Sequence, residues 1–235
     1  MSQIQVELQE FMGNDEKIAQ SAWTSSSDIA GKEFKTEEDV KRVVNMLADK
    51  KHSVPFESVV FRFWFRIPVA TDRQLMTHRI ASHSGMSGRY RTMPSDFLAV
   101  ADDVTKILKK CDSQPFSTDN MLSLVKDYEQ ICTDANEWYQ QVCTELKDLK
   151  TRGVINSDEL KRVREFMRGV LPQHNMTERV TVMNLRSFAN FYKLRSKPDA
   201  QPEIRYLSEK MLEQIVKANV CPIAISALER NSWVI

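Results

Sequence analysis

The residues best suited to chemistry crowd into positions 74–92, Gln-Leu-Met-Thr-His-Arg-Ile-Ala-Ser-His-Ser-Gly-Met-Ser-Gly-Arg-Tyr-Arg-Thr. Donors are dense there: His78, Arg79, Ser82, His83, Ser84, Ser87 and Arg89. Forked guanidinium groups suit phosphate oxygens. Gly85 and Gly88 let the backbone bring its amides close to a ligand. Leu75, Met76 and Ile80 recur at helical spacing, so the segment reads as a helix with an apolar face on a core and a polar end left to a cleft. The chemistry implied is an anion site for a phosphorylated small molecule. The plainer reading is a solvated, charged helix end.

The elements that must position this stretch follow from periodicity. Ile4, Val6 and Leu8 alternate with polar residues as in an opening strand, and a short helix begins at Asn14–Lys17. Residues 24–34, rich in Ser and Gly, read as a loop. Thr36 is a suitable N-cap for a helix carrying Val40, Val43, Val44 and Leu47, with Glu37, Glu38 and Asp39 in its first turn. From Ser58 to Ile67, Phe61, Phe63, Phe65 and Ile67 share one strand face, and Arg62, Trp64 and Arg66 the other. Plain solvent exposure is the simpler reading of Arg62 and Arg66. Pro68 ends that strand, and the next helix, from about Thr71, carries the donor-rich segment.

Helices are expected over 95–110 and 117–150, and another begins at Ser157-Asp158-Glu159 and stops at Leu171-Pro172. Arg164 and Arg168, four apart, would share a face of it. Residues 177–183 suggest a strand, followed by helices over 184–195, 199–217 and 222–230.

Composition limits the function. Lys plus Arg total 33 and Asp plus Glu 32, which argues against a broad nucleic-acid-binding face. The apolar run Val59–Val69 is interrupted by Arg62 and Arg66 and is too short to span a bilayer, and the first ten residues show no secretory signal. Cys111, Cys132, Cys143 and Cys221 form no metal-ligand pattern, so no metal is expected. They read as reduced, buried thiols of a cytoplasmic protein. Cys221, beside Pro222, has the apolar neighbours of a packing residue.

Several blocks resemble one family. Thr77-His78-Arg79, seven residues, then Ser87 is close to the Arg-His-Arg, seven-residue, Ser signature of flavin-dependent thymidylate synthases, the ThyX family. Arg89-Tyr90 follows as in that pattern. His52-Ser-Val-Pro-Phe-Glu57, Arg168-Gly-Val-Leu-Pro172, Asn184-Leu-Arg186, Leu194-Arg195 and Ala200-Gln201-Pro-Glu203-Ile-Arg205 resemble its other blocks, in order. The likeness extends over nearly the whole chain, leaving out 98–155.

The resemblance implies an α+β fold, with a mixed β-sheet flanked by helices, as one ThyX-like domain over 1–235 with a helical segment at about 98–155. It implies a homotetramer with active sites shared between subunits. The implied reaction is reductive methylation of dUMP to dTMP, with carbon from methylenetetrahydrofolate, reducing equivalents from NADPH and hydride carried by FAD. By position, Arg195 matches the arginine that polarises the pyrimidine; an ion pair with Asp199 or Glu203 is its structural alternative. Gln74, Ser87, Gly88, Arg89 and Arg168 match nucleotide-holding residues, with Arg89 on the phosphate. Thr77, His78, Arg79, Gly85, Asn184, Arg186 and Asn190 fall at flavin-site positions, and His52 matches a histidine beside the flavin ring. Without the family, His52 would read as a loop residue and Asn190 as a helix-surface amide.

Departures from the pattern sharpen the expectation. Thr77 stands where the signature has its first Arg, removing a cation; Thr77→Arg would then be expected to tighten binding. Ser84-Gly85 replaces Asn-Glu, removing a carboxylate, and Asp199 stands where some relatives carry His. Three readings follow. One is a thymidylate synthase on dUMP. Another is a related flavin enzyme that methylates or hydroxymethylates dCMP or another pyrimidine nucleotide, whose edge has the reversed hydrogen-bond polarity. The third is a non-catalytic nucleotide-binding protein that has lost its flavin.

Overall fold

A computed structural model describes residues 3–24, 36–112 and 120–234. In chain order the elements are β1 (Gln5–Met12), α1 (Asp15–Trp23), α2 (Glu37–Asp49), a 3-10 turn (Val54–Ser58), β2 (Val60–Pro68), α3 (Val69–Met76), β3 (Ser82–Gly85), α4 (Asp102–Asp112) and α5 (Ser123–Thr151). There follow α6 (Ser157–Met167), a second 3-10 turn (Arg168–Val170), β4 (Met176–Asn184), α7 (Leu185–Arg195), α8 (Pro202–Lys217) and α9 (Pro222–Arg230). The loop expected at 24–34, from residue 25 onward, lies outside the described residues, as do residues 117–119 of the long helix.

Two compact units form. The first comprises Met1–Gln3, Ile67–Asp72 and Gly85–Glu178, and the second Ile4–Arg66, Arg73–Ser84 and Arg179–Ile235. The four strands run in the order β1-β2-β4-β3. β1 pairs antiparallel with β2. Leu185 N donates to Val59 O and Val69 N to Asn175 O, so β4 runs antiparallel to β2 as well. The pairing of Met86 N with Glu178 O sets β3 antiparallel to β4. The sheet is therefore antiparallel, a correction to the mixed sheet expected above.

In the second unit, alternation in β2 decides the core. Phe61, Phe63 and Phe65 are fully buried, while Arg62, Trp64 and Arg66 are half-buried. Each buried Phe stabilises the fold by roughly 1.5–3 kcal/mol. Phe188 of α7 meets Phe61 edge-on, with centroids 6.1 Å apart. Arg62 is not simply solvated: it donates to Gln9 Oε1 at 2.5 Å. Thr36 caps α2 in a reciprocal box with Asp39, and Asp15, at the start of α1, accepts from the amides of Ile223 and Ala224 at the start of α9.

The helix expected to run on through the donor-rich segment stops at Met76. Thr77 Oγ1 bonds back to Gln74 O at 2.7 Å, the chain turns over 77–81, and Ser82–Gly85 becomes an edge strand. Leu75 is buried as expected, but Met76 and Ile80 are exposed, Ile80 to 75 %. Hydroxyl back-bonding and sheet pairing override the apolar spacing there.

In the first unit, α4 begins at Asp102 instead of 95, because Leu98 N and Met176 N bond to His174 O and Asp96 O and hold residues 96–98 extended. Arg164 is 5 % exposed, whereas Arg168 is exposed and opens the second 3-10 turn beyond α6, so the two do not form one basic face. Among the described residues no helix is long and apolar enough to cross a membrane.

Candidate functional site

The second unit contains a cleft of about 640 Å³. Residues 77–81, the turn between α3 and β3, form one side; Arg186, Ser187, Asn190, Lys193 and Leu194, at helical spacing on α7, form another. Glu57, Met183, Arg195 and Trp233 complete it. Six expected site residues thus meet here: Thr77, His78, Arg79, Arg186, Asn190 and Arg195.

Arg195 is held by two acceptors. Its Nε donates to His78 Nε2 at 2.9 Å and an Nη to Thr77 Oγ1 at 3.3 Å. It makes no ion pair with Asp199 or Glu203, its structural alternative. The His78 ring stands edge-on to buried Phe191, centroids 4.8 Å apart. Burial first, then the Arg195 guanidinium and His83, lowers the His78 imidazole from the ordinary 6.5 to about 4. At neutral pH His78 is an uncharged acceptor, the form that Arg195 requires. His83 sits behind it, with Nδ1 3.0 Å from Thr181 Oγ1 and Nε2 3.4 Å from the His78 carbonyl.

The lining carries Arg79, Arg186, Lys193 and Arg195 against one carboxylate, Glu57, which pairs with Arg186 at 2.6 Å. That surplus draws an anion. Ser187 Oγ is buried with no hydrogen-bond partner among the described residues, an orphan that a ligand can satisfy. Trp233, 8 % exposed, packs against Tyr192 at 4.6 Å between centroids and forms part of the lining. It follows α9 in a left-handed conformation, φ +59° after Ser232 at +52°. The strain is compensated because the amides of Ser232 and Trp233 satisfy the carbonyls of Glu229 and Leu228 at the helix end.

Other expected residues lie outside this lining. Asn184 Oδ1 caps α7 by accepting from Ser187 N at 2.8 Å. Gln74 hydrogen-bonds the Gln201 side chain. His52 is exposed after α2, its amide bonded to Leu47 O. Gly85, Ser87, Gly88, Arg89 and Arg168 belong to the first unit. There Ser87 O accepts from the amides of Tyr90 and Arg91, forming a tight turn. Gly88 is buried where a Cβ would lie 2.9 Å from both Arg168 Cδ and Met93 Sδ. Gly88 and Arg168 are thus brought together, while Arg89 lies 5.8 Å above the Tyr90 ring. Among the described residues no group of three metal-ligating side chains occurs.

Sequence reasoning gave no role to Ser187, Lys193 or Trp233. Lys193 was findable as the i+7 companion of Arg186, and Ser187 as the residue three before Asn190, on one side of the helix. Trp233 belongs to none of the motif blocks.

The fold and cleft define an α+β protein with a cationic cleft built around a clamped arginine. Comparison with known proteins narrows this. The family model described as thymidylate synthase complementing protein matches residues 7–223. The chain is 31% identical over 228 residues to a flavin-dependent thymidylate synthase of Thermus thermophilus, covering 96% of this chain and 76% of that protein. It is 32% identical over 229 residues to the enzyme of the same name from Rickettsia conorii, covering 94% and 74% respectively. A crystal structure of the UMP/dUMP methylase PolB from Streptomyces cacaoi, bound with 5-Br dUMP, superposes with a TM-score of 0.75 at 26% identity, covering 98% of this chain and 97% of that one. The chain belongs to the thymidylate synthase complementing protein family, the flavin-dependent thymidylate synthases.

Proposed function

We propose that this chain is a flavin-dependent methyltransferase acting on a pyrimidine nucleoside monophosphate, converting dUMP to dTMP with methylenetetrahydrofolate as carbon donor and NADPH as reductant. The observation that carries the reading is the cationic cleft, because its lining includes Thr77, His78, Arg79, Arg186 and Asn190, five of the residues at flavin-site positions of the family motifs.

FAD fits the donor set. Arg79, Arg186 and Lys193 suit a pyrophosphate, the Asn190 amide and the unpaired Ser187 hydroxyl offer hydrogen bonds, and Trp233 offers an aromatic surface. When bound, a flavin supplies hydride chemistry to an electron-poor pyrimidine, so the protein has to orient rings and stabilise charge. Arg195 serves that purpose: His78 and Thr77 fix its guanidinium before any ligand arrives, and a preset cation stabilises developing negative charge without reorganising. By their motif positions alone, Gln74, Ser87, Gly88, Arg89 and Arg168 are assigned to the nucleotide, and His52, Gly85 and Asn184 to the cofactor.

Cys221, the thiol beside a proline, is unsuited to the role of nucleophile. Cys221 is buried, and burial followed by the Asp15 carboxylate pushes its thiol well above the ordinary range. The enzyme works as a homotetramer, one family domain per chain, and the free thiols favour the cytoplasm.

A second reading, methylation or hydroxymethylation of dCMP or another pyrimidine nucleotide, is favoured by one feature. Gly85, exposed at the end of β3, presents no carboxylate to the base edge. The Streptomyces UMP/dUMP methylase, with structures bound to 5-Br dUMP and to 5-Br UMP, supports leaving the nucleotide open on this fold. Product analysis with dUMP, UMP and dCMP, each supplied with methylenetetrahydrofolate, NADPH and FAD, tests the proposal. dTMP as the main product supports it, a methylated or hydroxymethylated cytosine product selects the second reading, and no product from any nucleotide contradicts both.

A further inference from the structure

A second cavity, about 510 Å³, lies wholly within the first unit, at the C-terminal end of α5 and the N-terminal half of α6. Lys147 and Lys150 line it from α5, Lys161 and Arg164 from α6, and Tyr90 forms part of its wall. Both basic pairs are spaced i, i+3, so each presents its charges on one helical face. None of the five is a residue that the family motifs assign to nucleotide or flavin.

Arg164 makes this more than a cluster of surface lysines. Its side chain is buried, with the residue 5 % exposed; Nη1 donates to the Tyr90 carbonyl at 3.1 Å, and Nε has no partner among the described residues. Burying a guanidinium with an N–H unsatisfied opposes folding, so its retention in a cavity wall needs a compensating ligand or role. The carboxylates nearby are already engaged. Asp158 is exposed and 3.0 Å from Lys161 Nζ, and Glu159 is tied to the Asn156 amide at the head of α6. Lys161 and Arg89 both lie within 6 Å of the Tyr90 ring, at 5.7 and 5.8 Å, so positive potential continues along this wall.

We propose that this cavity binds a small polyanion carrying several phosphate or carboxylate groups in series. A single phosphate would engage only part of a space this large, whereas Lys147, Lys150 and Arg164, joined by Lys161 once it exchanges the exposed Asp158 for the ligand, match spaced negative charges. The two sources of such chemistry are a polyphosphate, as on a nucleoside triphosphate, and a chain of linked carboxylates, as on an oligo-γ-glutamate tail.

Calorimetric titration of the full chain with tripolyphosphate, tri-γ-glutamate and inorganic phosphate tests this. At least one of the two polyanions should bind ~10-fold or more tightly than inorganic phosphate, and the double variant Lys147→Glu/Lys150→Glu should lose ~10-fold or more of that affinity with an unchanged melting temperature. Preference for tripolyphosphate identifies a phosphate site, and preference for tri-γ-glutamate a carboxylate-tail site. Binding no tighter than inorganic phosphate, or binding untouched by the double reversal, overturns the proposal. Arg164→Lys tests the buried member separately; should it fail to fold, the lysine pair still decides.

Discussion

Arg195 donates through Nε to His78 Nε2 at 2.9 Å, a bond that exists only while that imidazole nitrogen carries no proton. The residue beside Arg195 is therefore a neutral histidine, held so by burial and by the arginine itself.

A pH signature follows. In the unfolded chain His78 takes a proton near the ordinary 6.5, but in the fold only near 4. Between those values the unfolded state binds more protons, so stability present above pH 6.5 is lost as the pH falls towards 4. His78→Gln keeps an acceptor without titrating. Melting curves across this window should fall less steeply for that variant than for the parent, and identical slopes would remove His78 as the cause.

Thr77 is the second acceptor, at 3.3 Å from an Arg195 Nη. This reverses the expectation drawn from the motif alone: Thr77→Arg would set a second guanidinium against Arg195 and should lower turnover instead of tightening binding. Thr77→Val removes the acceptor and should reduce kcat by about 5-fold, the worth of one modest hydrogen bond, while Thr77→Ser should retain it. Equal rates for the Val and Ser variants would dissociate the hydroxyl from catalysis.

Gly88 tests the role proposed for its turn in holding the nucleotide. A methyl group there meets Arg168 Cδ and Met93 Sδ at 2.9 Å, and both are side chains able to move. Gly88→Ala should leave the melting temperature nearly unchanged while displacing Arg168 and weakening dUMP in equilibrium dialysis. Undiminished affinity would separate Arg168 from nucleotide handling.

Trp233 lines the cleft at its C-terminal edge. Trp233→Ala should weaken FAD binding by on the order of 10-fold, through loss of aromatic contact, with Trp233→Phe intermediate. Flavin titration followed by fluorescence quenching measures this, and parent-like affinity in the Ala variant would exclude the indole from the site.

What the sequence disclosed follows from physical locality. The Phe61, Phe63, Phe65 alternation announced β2 because a strand buried on one face imposes a period of two, and Thr36 announced α2 because a cap acts within three residues. The end of α3 was hidden, since Leu75, Met76 and Ile80 keep helical spacing while β3 depends on a pairing partner a hundred residues away in β4. The same distance hid the hydrogen bonds from Arg195 to Thr77 and His78: motif blocks placed all three near one ligand, but not their pairing. Nothing local marked Lys147, Lys150, Lys161 and Arg164 as walls of one cavity, because it exists only once α5 and α6 pack.

The central claim is that the α7 cleft holds a flavin, and retention of FAD tests it most directly. The purified chain, equilibrated with FAD and desalted, should keep the yellow flavin absorbance, and Arg186→Glu, which places a carboxylate in the cationic lining, should lose most of it. A parent protein that emerges colourless from that treatment would contradict the account.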